Sequence, residues 1–210
     1  MKKYKNLLKK IYSQSKSFYH QKTERGFTLI ETLVAITVLV LSITGPLQIA
    51  ANSLFSSFYA RDQITAYYLA EEAIEYAKNA RDTTFLSDVF TGTGNNDWLK
   101  GLEVCVNDGV DHTDGCYIDT LVNFSSGNAV HQCVEECPAI LYDTNTNLWG
   151  YINGNPTKFV RTVRIVPQGS LTFPRDEAII KVKVEWTTQS IFGTKKSFEL
   201  AGAMMNWQRK

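Results

Sequence analysis

The strongest constraint on this 210-residue chain is a long uncharged run. From Phe27 to Ala60 the only charged side chain is Glu31, four residues inside that run. Phe27 to Leu47 supplies 21 predominantly apolar positions, enough for a helix to cross a bilayer. A helix apolar on every side has no face to offer water, so protein or lipid must surround it. A carboxylate within such a helix costs a few kcal/mol even on lenient insertion scales, and normally has a partner or a function. Cutting the peptide bond before Phe27 would create a cationic amine about one turn from Glu31, and a neighbouring subunit's amine could pair with it equally well.

The residues upstream carry an address. Residues 1–26 hold eight basic side chains against one acid, Glu24. The remainder has 14 basic and 20 acidic residues, so the formal net charge of +1 conceals a partition. A basic leader of this kind is held in the cytoplasm by the positive-inside bias, and the body goes to the other side. Lys2, Lys3, Lys5, Lys9 and Lys10 with Leu7, Leu8 and Ile11 could form an amphipathic helix on the inner leaflet. A plain charged tail accounts for them equally well.

Gly26 followed by Phe27-Thr28-Leu29-Ile30-Glu31, behind a basic leader and ahead of an apolar helix, resembles the prepilin motif of type IV pilins and type II secretion pseudopilins. The resemblance covers roughly the first third of the chain. It implies that a membrane aspartyl peptidase cuts after Gly26, that Phe27 becomes the methylated N-terminus, and that Glu31 guides subunits into a helical filament. It also implies the partners: other pilin subunits, prepilin peptidase and, before assembly, the membrane. The proline that often bends the helix in that family stands here as Gly45-Pro46. The competing explanation is an uncleaved signal anchor carrying an extracytoplasmic binding module. An ordinary secretory peptide fits worse, because its cleavage site would follow the apolar region, whereas Gly26 precedes it.

Beyond Pro46 the chain stays compatible with a helix. Ala66, Leu69, Ala70, Ala73, Ala77 and Ala80 recur at the spacing of one helical face, while Glu71, Glu72, Glu75, Lys78 and Arg81 occupy the others. The pattern predicts one long helix over 27–82, membrane-spanning over about 27–47, with any groups freed at Pro46 re-satisfied locally. Its small face would pack on a sheet. That the first half packs against the same half of other subunits is implied by the resemblance alone.

The remaining residues, 83–210, are expected to form an extracytoplasmic head. Residues 83–156 read as loop-rich and acidic, with ten acids against one base, Lys100. Within them Leu102 to Val106 and Tyr117 to Val122 could be strands flanking a turn that contains Asp108-Gly109 and Asp114-Gly115. Residues 157–210 read as an antiparallel meander of Phe159 to Val166, Ala178 to Thr187 and Lys195 to Met204. In the middle run Ile180, Val182, Val184 and Trp186 alternate with Lys181, Lys183 and Glu185. The fold class is therefore α+β and pilin-like, a long N-terminal helix packed on a C-terminal antiparallel sheet.

Four cysteines stand at Cys105, Cys116, Cys133 and Cys137. An even count beyond a membrane suits two disulfides, of which Cys105 to Cys116 with Cys133 to Cys137 is the most local pairing. The rival is a zinc site using His112 or His131, although the spacing is not the usual paired knuckle. Asn107, Asp108, Asp111 and Asp114 invite calcium, but their order is not that of an EF-hand loop, and a solvated acidic turn explains them better. Asn123-Phe124-Ser125 is a glycosylation sequon of low specificity.

From Pro156 onward ten basic residues face four acids. DNA binding is weighed against this basic end, yet no aromatic and basic recognition motif accompanies it, and complementarity with the acidic middle is simpler. No nucleophile elbow, phosphate loop or metalloprotease helix is visible, so an enzyme is not expected, and neither is a metal or cofactor. These readings converge on a minor pilin or pseudopilin in a type IV pilus-like filament serving adhesion, motility, secretion or DNA uptake. It would be a single-pass membrane protein, N-terminus cytoplasmic, until assembly at the cell surface.

Overall fold

The computed structural model describes residues 26–92, 98–107, 114–168, 176–188 and 193–206. The leader before Gly26 lies outside them, as do Asp108, Gly109, Asp111 and His112. By its contacts the chain forms two units, one ending at Ser53 and the other running from Leu54.

Helix α1, Leu29–Thr91, supplies all but the first three described residues of the first unit and continues into the second. In the first unit every residue from Gly26 to Ala50 is exposed, Leu, Ile and Val included. The helix passes through Gly45 and Pro46 without interruption. It also outruns the expected end near Asp82. Threonine and aspartate texture after Thr83 suggested a loop, but Thr84 and Thr91 return their hydroxyls to the carbonyls of Ala80 and Ser87, at 3.0 and 2.8 Å. The stop is Gly92, whose left-handed φ of 65° lets its N–H reach the Asp88 carbonyl at 3.0 Å.

The second unit is a seven-stranded sheet packed on the later part of α1. The strands are β1 (Cys116–Ile118), β2 (Val130–Gln132), β3 (Ala139–Asp143), β4 (Leu148–Gly150), β5 (Asn155–Gln168), β6 (Glu177–Thr187) and β7 (Lys195–Met205). The meander β5–β6–β7 is antiparallel throughout, with β5 longer than the expected Phe159 to Val166 because its start also pairs with β3. On the flank of β5 away from β6 lie the hairpins β1–β2 and β3–β4.

Region 83–156 therefore holds more strand than its composition suggested, and less where strands were expected. Leu102 to Val106 is a 3-10 turn at Glu103–Cys105, which turns Leu102 and Cys105 inward together; only Val106 bridges to Ile165. The expected strand from Tyr117 to Val122 ends at Ile118, because the Asp119 side chain accepts the Leu121 N–H at 3.1 Å and bends the chain.

The core lies between α1 and the sheet. Ala66, Leu69, Ala70, Ala73, Ala77 and Ala80 are all buried, facing Ile180, Val182, Val184 and Trp186 of β6. Burying the large sheet residues contributes about 1.5–3 kcal/mol each. The alanines contribute less apiece and instead let the helix approach. The approach is close at Gly202 of β7, where an added Cβ would meet Ile74 Cγ2 at 3.3 Å.

Charged groups also tie α1 to β5. Buried Asp62 accepts from Lys158 Nζ at 2.6 Å. Arg161, 1% exposed, donates to the Leu69 carbonyl at 2.9 Å, the Ile118 carbonyl at 2.6 Å and Glu72 at 3.2 Å. Its guanidinium also lies over the Tyr151 ring. The tyrosine's pKa is raised by burial, and the nearby Arg161 charge opposes the shift.

Candidate processing and assembly site

Gly26, Phe27 and Thr28 precede the helix in non-helical backbone, and all three are exposed. The bond between Gly26 and Phe27 therefore lies outside the helix and is open to solvent. Thr28 then starts the helix. Its hydroxyl oxygen accepts the Glu31 N–H at 3.3 Å, and its carbonyl accepts the Thr32 N–H at 3.2 Å. The sequence reading passed over this residue. The signal was Thr28-x-x-Glu31, the spacing of a capping box, in which the N-cap side chain satisfies an otherwise orphaned donor of the first turn.

The other hydroxyls of the apolar run satisfy themselves. Thr32 donates to Leu29 O at 2.9 Å, Thr37 to Val34 O at 2.8 Å, Ser42 to Val38 O at 2.7 Å and Thr44 to Leu41 O at 3.1 Å. This leaves the Glu31 carboxylate exposed and without an ion-pair partner among the described residues. It sits in the first turn of α1, where the helix dipole favours negative charge. A cation brought to that turn finds a carboxylate with nothing to displace.

The four cysteines belong to the second unit and are bonded Cys105 to Cys116 and Cys133 to Cys137. With no free cysteine, the zinc alternative loses its thiolates. His131 stacks on Tyr117 with ring centroids 5.0 Å apart, its Nε2 lying 2.9 Å from the Asn128 carbonyl. Of the calcium candidates, Asp108 and Asp111 lie outside the described residues; the Asp114 carbonyl accepts from Arg164 at 3.2 Å. Asn123 caps a short 3-10 turn, accepting the Ser125 N–H at 3.0 Å. The basic end is less exposed than its composition implied, since Arg161 is buried and Lys158 is paired with Asp62.

The site thus brings together an exposed junction, a capped first turn, a lone carboxylate and a helix long and apolar enough to cross a membrane. Residues 21–45 match the family model for the prokaryotic N-terminal methylation motif, the signature of type IV prepilins and pseudopilins. No curated protein and no solved structure matches the chain. The long N-terminal helix and C-terminal antiparallel sheet make a pilin-like α+β architecture. The motif points to a structural subunit and suggests processing by prepilin peptidase, membrane anchoring and assembly with other pilin subunits.

Proposed function

We propose that this chain is a prepilin cut between Gly26 and Phe27, methylated on the Phe27 amine, and assembled into a type IV pilus-like filament as a minor pilin or pseudopilin. Its leader stays in the cytoplasm and its disulfide-bonded head stands on the other side of the membrane. The observation that carries this reading is the Glu31 carboxylate, the one charge between Phe27 and Ala60, exposed and without an ion-pair partner among the described residues, in a stretch that bears the methylation motif. In the filament Glu31 accepts the amine of a neighbouring subunit, converting the cost of a charge in lipid into a reason to dock.

Intact-mass spectrometry of the protein from membranes and from sheared filaments tests processing. The expected species begins at Phe27 and carries one extra methyl group. Glu31→Ala should be cut normally and remain in the membrane while its filament incorporation falls about tenfold or more, the effect of losing roughly 1.4 kcal/mol per docking event. An uncut Met1 start found only in membranes would overturn the reading in favour of a signal-anchored binding module. Normal incorporation of Glu31→Ala would remove the pairing argument.

A further inference from the structure

Outside the processing site, the second unit carries two unlike surfaces on opposite flanks of its sheet. One is an open groove of about 540 Å³ between α1 and β4, lined by Tyr68, Glu71, Glu72, Glu75 and Trp149 among others. Tyr68 is 64% exposed there. Glu72 is engaged, accepting from Arg161 and from the Thr120 hydroxyl, and Glu75 pairs with Lys78 at 2.8 Å. Glu71 is exposed and has no ion-pair partner among the described residues. Two aromatic rings beside a carboxylate form a seat for an ammonium group, held by the ring faces and neutralised by the acid.

The other flank is the edge strand β7, which among the described residues pairs with β6 alone. It opens with Lys195 and Lys196, both exposed. The hairpin β3–β4 lies across β5 from β6 and β7, so the acidic groove and the basic edge cannot satisfy each other within one head.

We infer that the groove at Tyr68, Glu71 and Trp149 receives the basic start of β7 from a second copy of this chain. The inference rests on the filament reading and adds to it which head surfaces meet. Because the two surfaces differ, the contact is heterologous, and each docked copy leaves both a free groove and a free edge at the ends of the row. The copies are also out of step. Lys196 pairs with Trp186, whose ring packs on Tyr59 at 6.3 Å between centroids. Glu71 lies roughly 18 Å farther along α1 than Tyr59 at the helical rise per residue. Seating one on the other displaces the second head along the helix direction, which suits a rising assembly rather than a closed pair.

A charge-swap experiment on the full chain in filament-producing cells tests this. Lys195→Glu with Lys196→Glu, and separately Glu71→Lys with Glu75→Lys, should each lower sheared-filament yield at least about fivefold through like-charge contact. All four substitutions together restore the opposite charges and should recover most of that yield. Intact mass confirms in each variant a Phe27 start and no free thiol, so that misfolding is not scored as lost docking. A four-fold variant no better than either pair, or pair variants that assemble like the wild type, would overturn the docking inference alone. A wild-type chain that never enters filaments would overturn the filament reading and this inference with it.

Discussion

Between Leu29 and Ala50 helix α1 carries Leu, Ile and Val on every side, and all of them are exposed; between Ala66 and Ala80 it carries alanine on one face, and that face is buried. The two stretches share a helix and differ in what they are built to meet. A fixed sheet rewards small residues, because close approach brings the large sheet side chains into contact with the helix backbone. A partner supplied from outside the chain, lipid or another subunit, calls for bulk all round and no preferred face. The hydrogen bonds follow the same division. In the apolar stretch hydroxyls return to their own helix, whereas Asp62 and Glu72 reach across to Lys158 and Arg161 on β5.

The largest break in this comparison should come from Arg161→Ala. Glu72 is 42% exposed on its side chain and can return to water, so its lost pair costs little. The Ile118 carbonyl and the space left by a fully buried side chain cannot be repaired so easily. Chemical denaturation of the full chain in detergent should show the head destabilised by about 3 kcal/mol. Leu39→Ala, a truncation in the exposed stretch, should leave the head's midpoint where it was. Equal effects from the two would mean that the first stretch is buried against the head after all.

A smaller effect sharpens the size rule. Ala73→Leu inserts a branched side chain where the residue is fully buried, and should destabilise the head by about 1–3 kcal/mol through overpacking. Ala35→Leu, on the exposed stretch, should leave head stability unchanged in the same titration. If Ala73→Leu were neutral, the helix and sheet would have slack that the contact at Gly202 denies.

Much of this division can be read from residue spacing. The alanine stripe and the alternation of Ile180, Val182, Val184 and Trp186 are periodic over enough residues to identify both a helix face and a strand face. Thr28-x-x-Glu31 is equally readable, because its spacing puts Glu31 at the third position after a threonine cap. What spacing did not reveal was local and short. Gly92 rather than Thr83 ends α1, because threonine hydroxyls can bond back to the helix as readily as they leave it. Strands of three to five residues such as β2, β3 and β4 offer too few positions for alternation to register, and tertiary pairing decides them. Arg161 belongs by composition to the basic end, and composition does not say which arginine has carbonyls waiting in the core.

The smallest predicted effect concerns the β3–β4 turn and confines the comparison to the head. Asp143 accepts the Asn145 N–H at 2.8 Å and the Thr146 hydroxyl at 3.0 Å, and these bonds, the backbone one foremost, hold its carboxyl below the ordinary value of 3.8. The folded chain therefore binds fewer protons here than the unfolded chain in the interval between the lowered and the ordinary pKa. The carboxylate's stabilisation is present above the ordinary value and is lost as pH falls through the lowered one. Asp143→Ala should accordingly show a slightly lower Tm than the wild type at pH 7, with the gap closing on acidification. Cleavage after Gly26 and membrane anchoring should be indifferent to the change, since the turn bonds only within the second unit. A Tm gap that stayed constant down to the acid limb would mean that the turn's shape, rather than its charge, holds β4 in place.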